Sequence, residues 1–273
     1  PGCAGIKVFM GSSTGELLVE DDEGVARILA QTNRRAAFHS EDEYRLRQRL
    51  SEQVAGNPAS HLVWRDAEAA RLCTVRLVRI ARKQRKRIHV LHVSTAEEMP
   101  LLAANKDVAT IEVTPHHLTL SSDDYARLGT LLQMNPPVRS KEHQHAIWQA
   151  LQSGIVDVLG SDHAPHTLEE KAKPYPNSPS GMPGVQTLVP VMLDHVNKHN
   201  LSLERFVDLT SHGPARIFGI SRKGRIAEGY DADLTIVDLK KKRKIENKWI
   251  ESKCGWTPYD GYEVTGWVQG TFV

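Results

Sequence analysis

Cysteine is scarce in this chain. Cys3, Cys73 and Cys254 are the only three in 273 residues, too few and too scattered for a disulfide framework, so a reducing compartment suits them. No apolar run reaches the ~20 residues of a membrane span, and no signal peptide opens the chain. A cytoplasmic location is expected. An excess of one charge is also missing: 35 Lys and Arg stand against 33 Asp and Glu, a net charge of +2. Nothing global therefore points to a polyanionic partner. Two basic runs, residues 79–87 and 240–244, have no aromatic residues interleaved for stacking on bases. A cationic end to a helix and a lysine-guarded strand edge explain them without nucleic acid. There are no internal repeats and no low-complexity tract. What remains is a globular composition, 40% hydrophobic and 25% charged, long enough for one large α/β domain or two smaller ones.

Histidine is plentiful, with 13 in the chain, and several follow directly on apolar runs. The most informative stretch is Ser161-Asp162-His163-Ala164-Pro165-His166. Residues 154–159 before it read as a buried parallel strand. Asp162 and His166 then fall past a strand's carboxyl end, where loops of a parallel barrel converge on one cavity. Strands are also expected over residues 6–10, 34–39, 88–93 and 110–114, alternating with helices over 20–32, 66–83 and 143–152. Residues 11–15 read as a turn, and Thr95 with Glu98 as a capping box. Lys7 sits mid-strand, where burial makes its charge costly. His39 and His92 stand near strand ends, while the pair His116-His117 is ambiguous. Asn135 is stiffened by the two prolines after it, and Arg139 could be a plain surface residue. The Pro-, Ser- and Gly-rich stretch 174–184 is long enough to be a functional loop. From residue 223 the texture becomes short β elements with tight turns.

Alternating strand and helix for over 200 residues argues for a parallel α/β fold. On or just after five strand candidates stand Lys7, His39, His92, Asn135 and Asp162. Imidazole and carboxylate donors of this kind suit Zn²⁺-type ions. Two such ions sharing a hydroxide would make a nucleophile for a carbonyl near neutral pH, with a carboxylate nearby to move the proton.

These motifs, in this order, resemble the amidohydrolase superfamily and, within it, the dihydroorotase family of cyclic amidohydrolases. The resemblance is carried by Lys7 within residues 5–11, Phe38-His39-Ser40-Glu41, His92-Val93-Ser94-Thr95, Asn135-Pro136-Pro137-Val138-Arg139 and the Asp162 to His166 stretch. It continues through Ser180-Gly181-Met182-Pro183-Gly184, residues 213–219 and residues 229–234. The fold it implies is a (β/α)8 TIM-like barrel, here with strands 4 to 8 over residues 1–222, plus part of a small β-sandwich over 223–273. It implies two zinc ions per subunit. Lys7, carboxylated on its amine, would bridge them, His39 and His92 would complete one, and Asp162 would bind the other and act as general acid/base. Asn135, His166, Ser180 and Gly181 would hold dihydroorotate. The reaction implied is the reversible cyclisation of N-carbamoyl-L-aspartate in pyrimidine biosynthesis, by a homo-oligomer, a dimer, able to associate with aspartate carbamoyltransferase.

One feature departs from the family pattern. The family's His-x-His metal pair and the Arg after it should precede Lys7, and no such segment lies upstream of Lys7 in this sequence. The chain is expected to be a fragment that is inactive alone. Rival expectations are an allantoinase or dihydropyrimidinase, which share the metal residues, and a non-catalytic subunit that has lost the metal.

Overall fold

The computed structural model describes residues 2–12 and 17–273. Most of the turn expected over residues 11–15 lies outside the described residues. Five parallel strands form one sheet in chain order: β1 (Gly5–Phe9), β2 (Arg35–His39), β3 (Ile88–Val90), β4 (Ala109–Val113) and β5 (Val158–Leu159). The register sets Lys7 beside Ala37 and Phe9 beside His39, and on the next pair Phe38 beside Val90. All five strands therefore send their carboxyl ends the same way. Among the described residues, no pairing joins β5 back to β1.

The helices that return the chain are α1 (Asp22–Gln31), α2 (Ala67–Gln84), α3 (Glu98–Ala103) and α4 (Lys141–Gln152), followed by α5 (Leu188–Asn197) and α6 (Gly213–Phe218). Local sequence explains their limits. Asp21 and Asp66 cap α1 and α2 by accepting from the N–H groups of Gly24 and Ala69, which satisfies donors the helix cannot. Val25 and Leu29 of α1, and Cys73, Leu77 and Ala81 of α2, recur at i, i+4 and are buried. They pack with Phe38, Val90 and Ile111 of the sheet in the main core, each large side chain contributing about 1.5–3 kcal/mol by burial. The capping box at Thr95 is half formed. Thr95 Oγ1 accepts from Glu98 N–H at 3.2 Å, but the Glu98 carboxylate turns to the Thr95 hydroxyl rather than its backbone.

After α6 the expected run of short β elements is replaced by one hairpin. β6 (Leu234–Lys244) pairs antiparallel with β7 (Glu263–Phe272). Residues 224–233 stay irregular, because Gly224 and Gly229 adopt positive φ and break any extended path. A second apolar cluster joins Met134, Met182 and Val191 to Trp256, Tyr259, Val264 and Trp267. Trp256 donates its indole N–H to the His166 carbonyl at 2.7 Å. The carboxyl-terminal segment thus braces a loop at the carboxyl ends of the strands. No described helix is long and apolar enough to cross a membrane.

Candidate functional site

His39 closes β2 and is buried. His92 lies two residues past β3 with φ +37°, and Asp162 follows β5 with φ +42°. Non-glycine residues avoid this left-handed region, and those held there cluster at functional sites. For His92 the conformation replaces simple strand alternation as the cause of its direction. Its ring meets that of His39, with centroids 4.7 Å apart, and its Nε2 lies 3.1 Å from His39 Nδ1.

The tautomer of His39 is set from behind. Glu41 is fully buried and takes an Arg65 guanidinium edge, with Nη2 at 2.7 Å and Nε at 3.1 Å from its oxygens. Arg65 holds the Glu41 carboxyl far below the usual range against the burial that would raise it. An ionised Glu41 accepts from His39 Nε2–H at 2.8 Å. That leaves the Nδ1 lone pair of His39 bare and aimed at His92. A carboxylate behind a histidine is how metal-ligating imidazoles are held. Burial lowers the pKa of His39, opposed by Glu41, and lowers that of His92 further, helped by His39 and Lys7. Both rings are therefore neutral donors at ordinary pH.

Lys7 departs from expectation: it is exposed, not buried, because β1 is an edge strand among the described residues. The protein on its inner side still lowers its pKa by desolvation, against the pull of Asp162 and Glu112. Asp162 is half-buried, and desolvation raises its pKa to about 6, opposed by Lys7. Gly160 makes room for the second carboxylate, since a Cβ there would stand 2.4 Å from Glu112 Cδ. Glu112 also accepts from the His92 N–H at 3.3 Å. The structure thus brings His39 to His92, and Lys7 within electrostatic reach of Asp162. Among the described residues, no three His, Cys, Asp or Glu side chains converge as a ready metal cage.

Asn135 follows a 3-10 turn rather than a strand. Its Oδ1 accepts from His61 Nε2–H at 2.9 Å, a proton also shared with the Met134 carbonyl. Asn135, His61, Arg65, Tyr175 and Ser180 line a cavity of about 320 Å³, large enough for a small polar molecule. Arg65 connects this cavity to the histidine pair through Glu41. His166 stands behind the wall, its Nε2–H donating to the Ser180 carbonyl at 3.2 Å. Gly181 is held from below by Lys171. That side chain is fully buried, and its ammonium donates to the carbonyls of Gln133, Pro179 and Gly181 at 3.0, 2.9 and 3.0 Å.

Other expectations change as well. Arg139 is buried, not at the surface, and donates to Ser94 Oγ and the Arg65 carbonyl. His116 and His117 are structural: His116 meets the Tyr259 hydroxyl and His117 the Pro136 carbonyl. Sequence reasoning passed over Arg65, His61, Glu112 and Lys171 as site residues. Glu41 was within reach, two residues beyond His39 in the same motif.

Residues 73–273 match the amidohydrolase family. The chain is 38% identical over 263 residues to the dihydroorotase of Halobacterium salinarum, covering 94% of this chain and 60% of that protein. It is 37% identical over 269 residues to the dihydroorotase of Pyrococcus furiosus, covering 98% and 59%. The chain thus spans about 60% of the length of these curated relatives. Among solved structures it resembles L-hydantoinase (dihydropyrimidinase) from Arthrobacter aurescens, with a TM-score of 0.94 at 29% identity, over 99% of this chain and 63% of that one. A D-hydantoinase structure matches with a TM-score of 0.91 at 26% identity, over 100% and 63%. The five parallel strands are accordingly part of a TIM-barrel-like fold, and the chain belongs to the amidohydrolase family.

Proposed function

We propose that the protein is a dihydroorotase, catalysing the reversible cyclisation of N-carbamoyl-L-aspartate to dihydroorotate in pyrimidine biosynthesis. The observation that carries this reading is the meeting of His39 Nδ1 and His92 Nε2 at 3.1 Å, with Glu41 fixing the tautomer. With the His39 proton held at Nε2, His39 Nδ1 is available as a metal donor, and His92 Nε2 beside it would serve as a second once deprotonated. Lys7, His39 and His92 would hold one Zn²⁺, and Asp162 a second shared with Lys7. Bound there, zinc supplies Lewis acidity toward the ring carbonyl and a nucleophile near neutral pH. The lowered pKa of Lys7 favours the free amine, which attacks carbon dioxide, forms the N–C bond of a carbamate and releases one proton. Asp162, with a pKa of about 6, can take a proton during ring opening and return it to the leaving nitrogen. Asn135 and Ser180 would meet the substrate's imide and carboxylate from the cavity wall, with His166 and Gly181 supporting Ser180 from behind.

Relatives named dihydroorotase are 34–38% identical to the chain. The hydantoinase structures support a second reading, a dihydropyrimidinase-type cyclic amidase. Comparing dihydroorotate with hydantoin as substrates of the intact protein separates the two. Turnover of dihydroorotate that falls at least tenfold in Asn135→Ala supports the first; preference for hydantoin overturns it. Residues 1–222 as the metal-bearing unit, 223–273 as part of a β-sandwich, a cytoplasmic homo-oligomer and an association with aspartate carbamoyltransferase belong to the same reading. The exposed apolar side chains Leu234, Ile236 and Phe272 on the hairpin support a further contact there.

A further inference from the structure

The basic run 79–87 does more than end a helix, because its last two residues, Lys86 and Arg87, enter a second cavity. Arg87, leading into β3, joins Arg34 and Arg35 at the start of β2 and Arg216 of α6 around a cavity of about 410 Å³. Lys86 lines it too. The strands are parallel, so this cavity lies at their amino-terminal ends, opposite the loops that carry His39 and Asp162. None of its lining residues is acidic. Two of the five cations are positioned by backbone: Lys86 donates to the Thr32 carbonyl at 2.8 Å and Arg35 to the Ile88 carbonyl at 3.4 Å. Arg34, Arg87 and Arg216 make no ion pair among the described residues. Other exposed arginines nearby are paired, Arg79 with Asp22 and Arg82 with Asp107.

Five like charges around one concavity repel one another, and the repulsion grows where the walls exclude water. Arg35 registers it: burial lowers its pKa and Arg87 lowers it further, with Asp157 opposing the two. A compact polyanion would offset that field, and guanidinium groups match phosphate oxygens in two-pronged fashion. An open concavity of about 410 Å³ with Ile217 and Phe218 in its wall matches the size of a small molecule better than that of a long nucleic-acid strand. We propose that this cavity binds the phosphate chain of a small polyphosphate, either free or carried by a nucleoside. The inference is independent of the catalytic reading.

Isothermal titration of the 273-residue chain with inorganic tripolyphosphate, and separately with a nucleoside triphosphate, tests it. Saturable binding of one molecule per chain is expected, weakening as salt rises. Arg34, Arg87 and Arg216 are exposed, so the double variant Arg87→Ala, Arg216→Ala should fold normally by circular dichroism and bind at least tenfold more weakly. Arg127→Ala, away from the cavity, should bind as the parent does. Equal affinity for the two ligands assigns the site to the phosphates alone, and tighter nucleoside triphosphate adds a base contact. No saturable binding at low salt, undiminished binding by the double variant, or tighter binding of an RNA oligonucleotide than of tripolyphosphate would overturn the proposal.

Discussion

Replacing Lys171 by Met should loosen the wall of the candidate site before it disturbs the metal residues. The Lys171 ammonium is fully buried and satisfies three carbonyls, those of Gln133, Pro179 and Gly181. Met keeps most of the apolar stem and removes the three donors. The Gln133 carbonyl keeps a partner, the Gly181 N–H at 2.9 Å. The carbonyls of Pro179 and Gly181 are left without one. Each buried orphan costs about 1–3 kcal/mol. Relief of the buried charge, whose pKa desolvation pulls down to about 7, offsets part of this. A net loss of roughly 3 kcal/mol follows, read as a lower urea midpoint at unchanged slope. Because those carbonyls flank Ser180, limited proteolysis should also cut the 174–184 loop faster. A loss below about 1 kcal/mol with unchanged proteolysis would refute the reasoning.

Three further outcomes are expected. Arg65→Met leaves Glu41 buried with only His39 beside it and should cost about 3–5 kcal/mol by chemical denaturation; adding Glu41→Gln should recover part of that loss. Burial pushes His61 and His116 down to about 3. Between pH 6.5, where the unfolded chain begins to bind protons, and pH 3 the native state does not, so stability falls as pH drops. Each group contributes about 1.4 kcal/mol per pH unit over that window, and urea unfolding that is flat from pH 6 to 4 would contradict this. Glu41→Gln should weaken zinc binding by about 10–100-fold, the usual effect of losing a carboxylate behind a metal-ligating histidine, measured by competition with a chelating dye.

The strands were legible because their apolar runs are short and bounded by turns, with single polar residues such as Lys7, His89 and Glu112 inside them. Residues 34–39 and 110–114 fall within a residue or so of β2 and β4. β5 shrinks to Val158 and Leu159 although the apolar run starts earlier, because side chains take the backbone groups that would extend the ladder: the Asp157 carboxylate accepts from the Ile111 N–H, while Lys106 and Arg205 donate to the carbonyls of Ile155 and Val156. The exposure of Lys7 is a property of its edge position, which depends on what lies beside β1. Nothing local foretold the direction of His92, since it comes from a left-handed residue beyond the strand. Glu41 and Arg65 are 24 residues apart in sequence, and no periodic pattern links them. Lys171 sits in a short helix that starts with a capping box at Thr167 and Glu170, which reads as an ordinary surface turn. Single residues near strand ends were visible. Their partners, contributed by distant segments of the chain, were not.

Zinc titration of the 273-residue chain and of a His39→Asn, His92→Asn variant, followed by calorimetry and by metal analysis after desalting, bears most directly on the account. The parent should retain zinc, and the variant should lose at least a hundredfold in affinity while keeping its circular dichroism spectrum. A parent that retains no zinc, or a variant that binds as tightly as the parent, would contradict the assignment of this histidine pair to a metal.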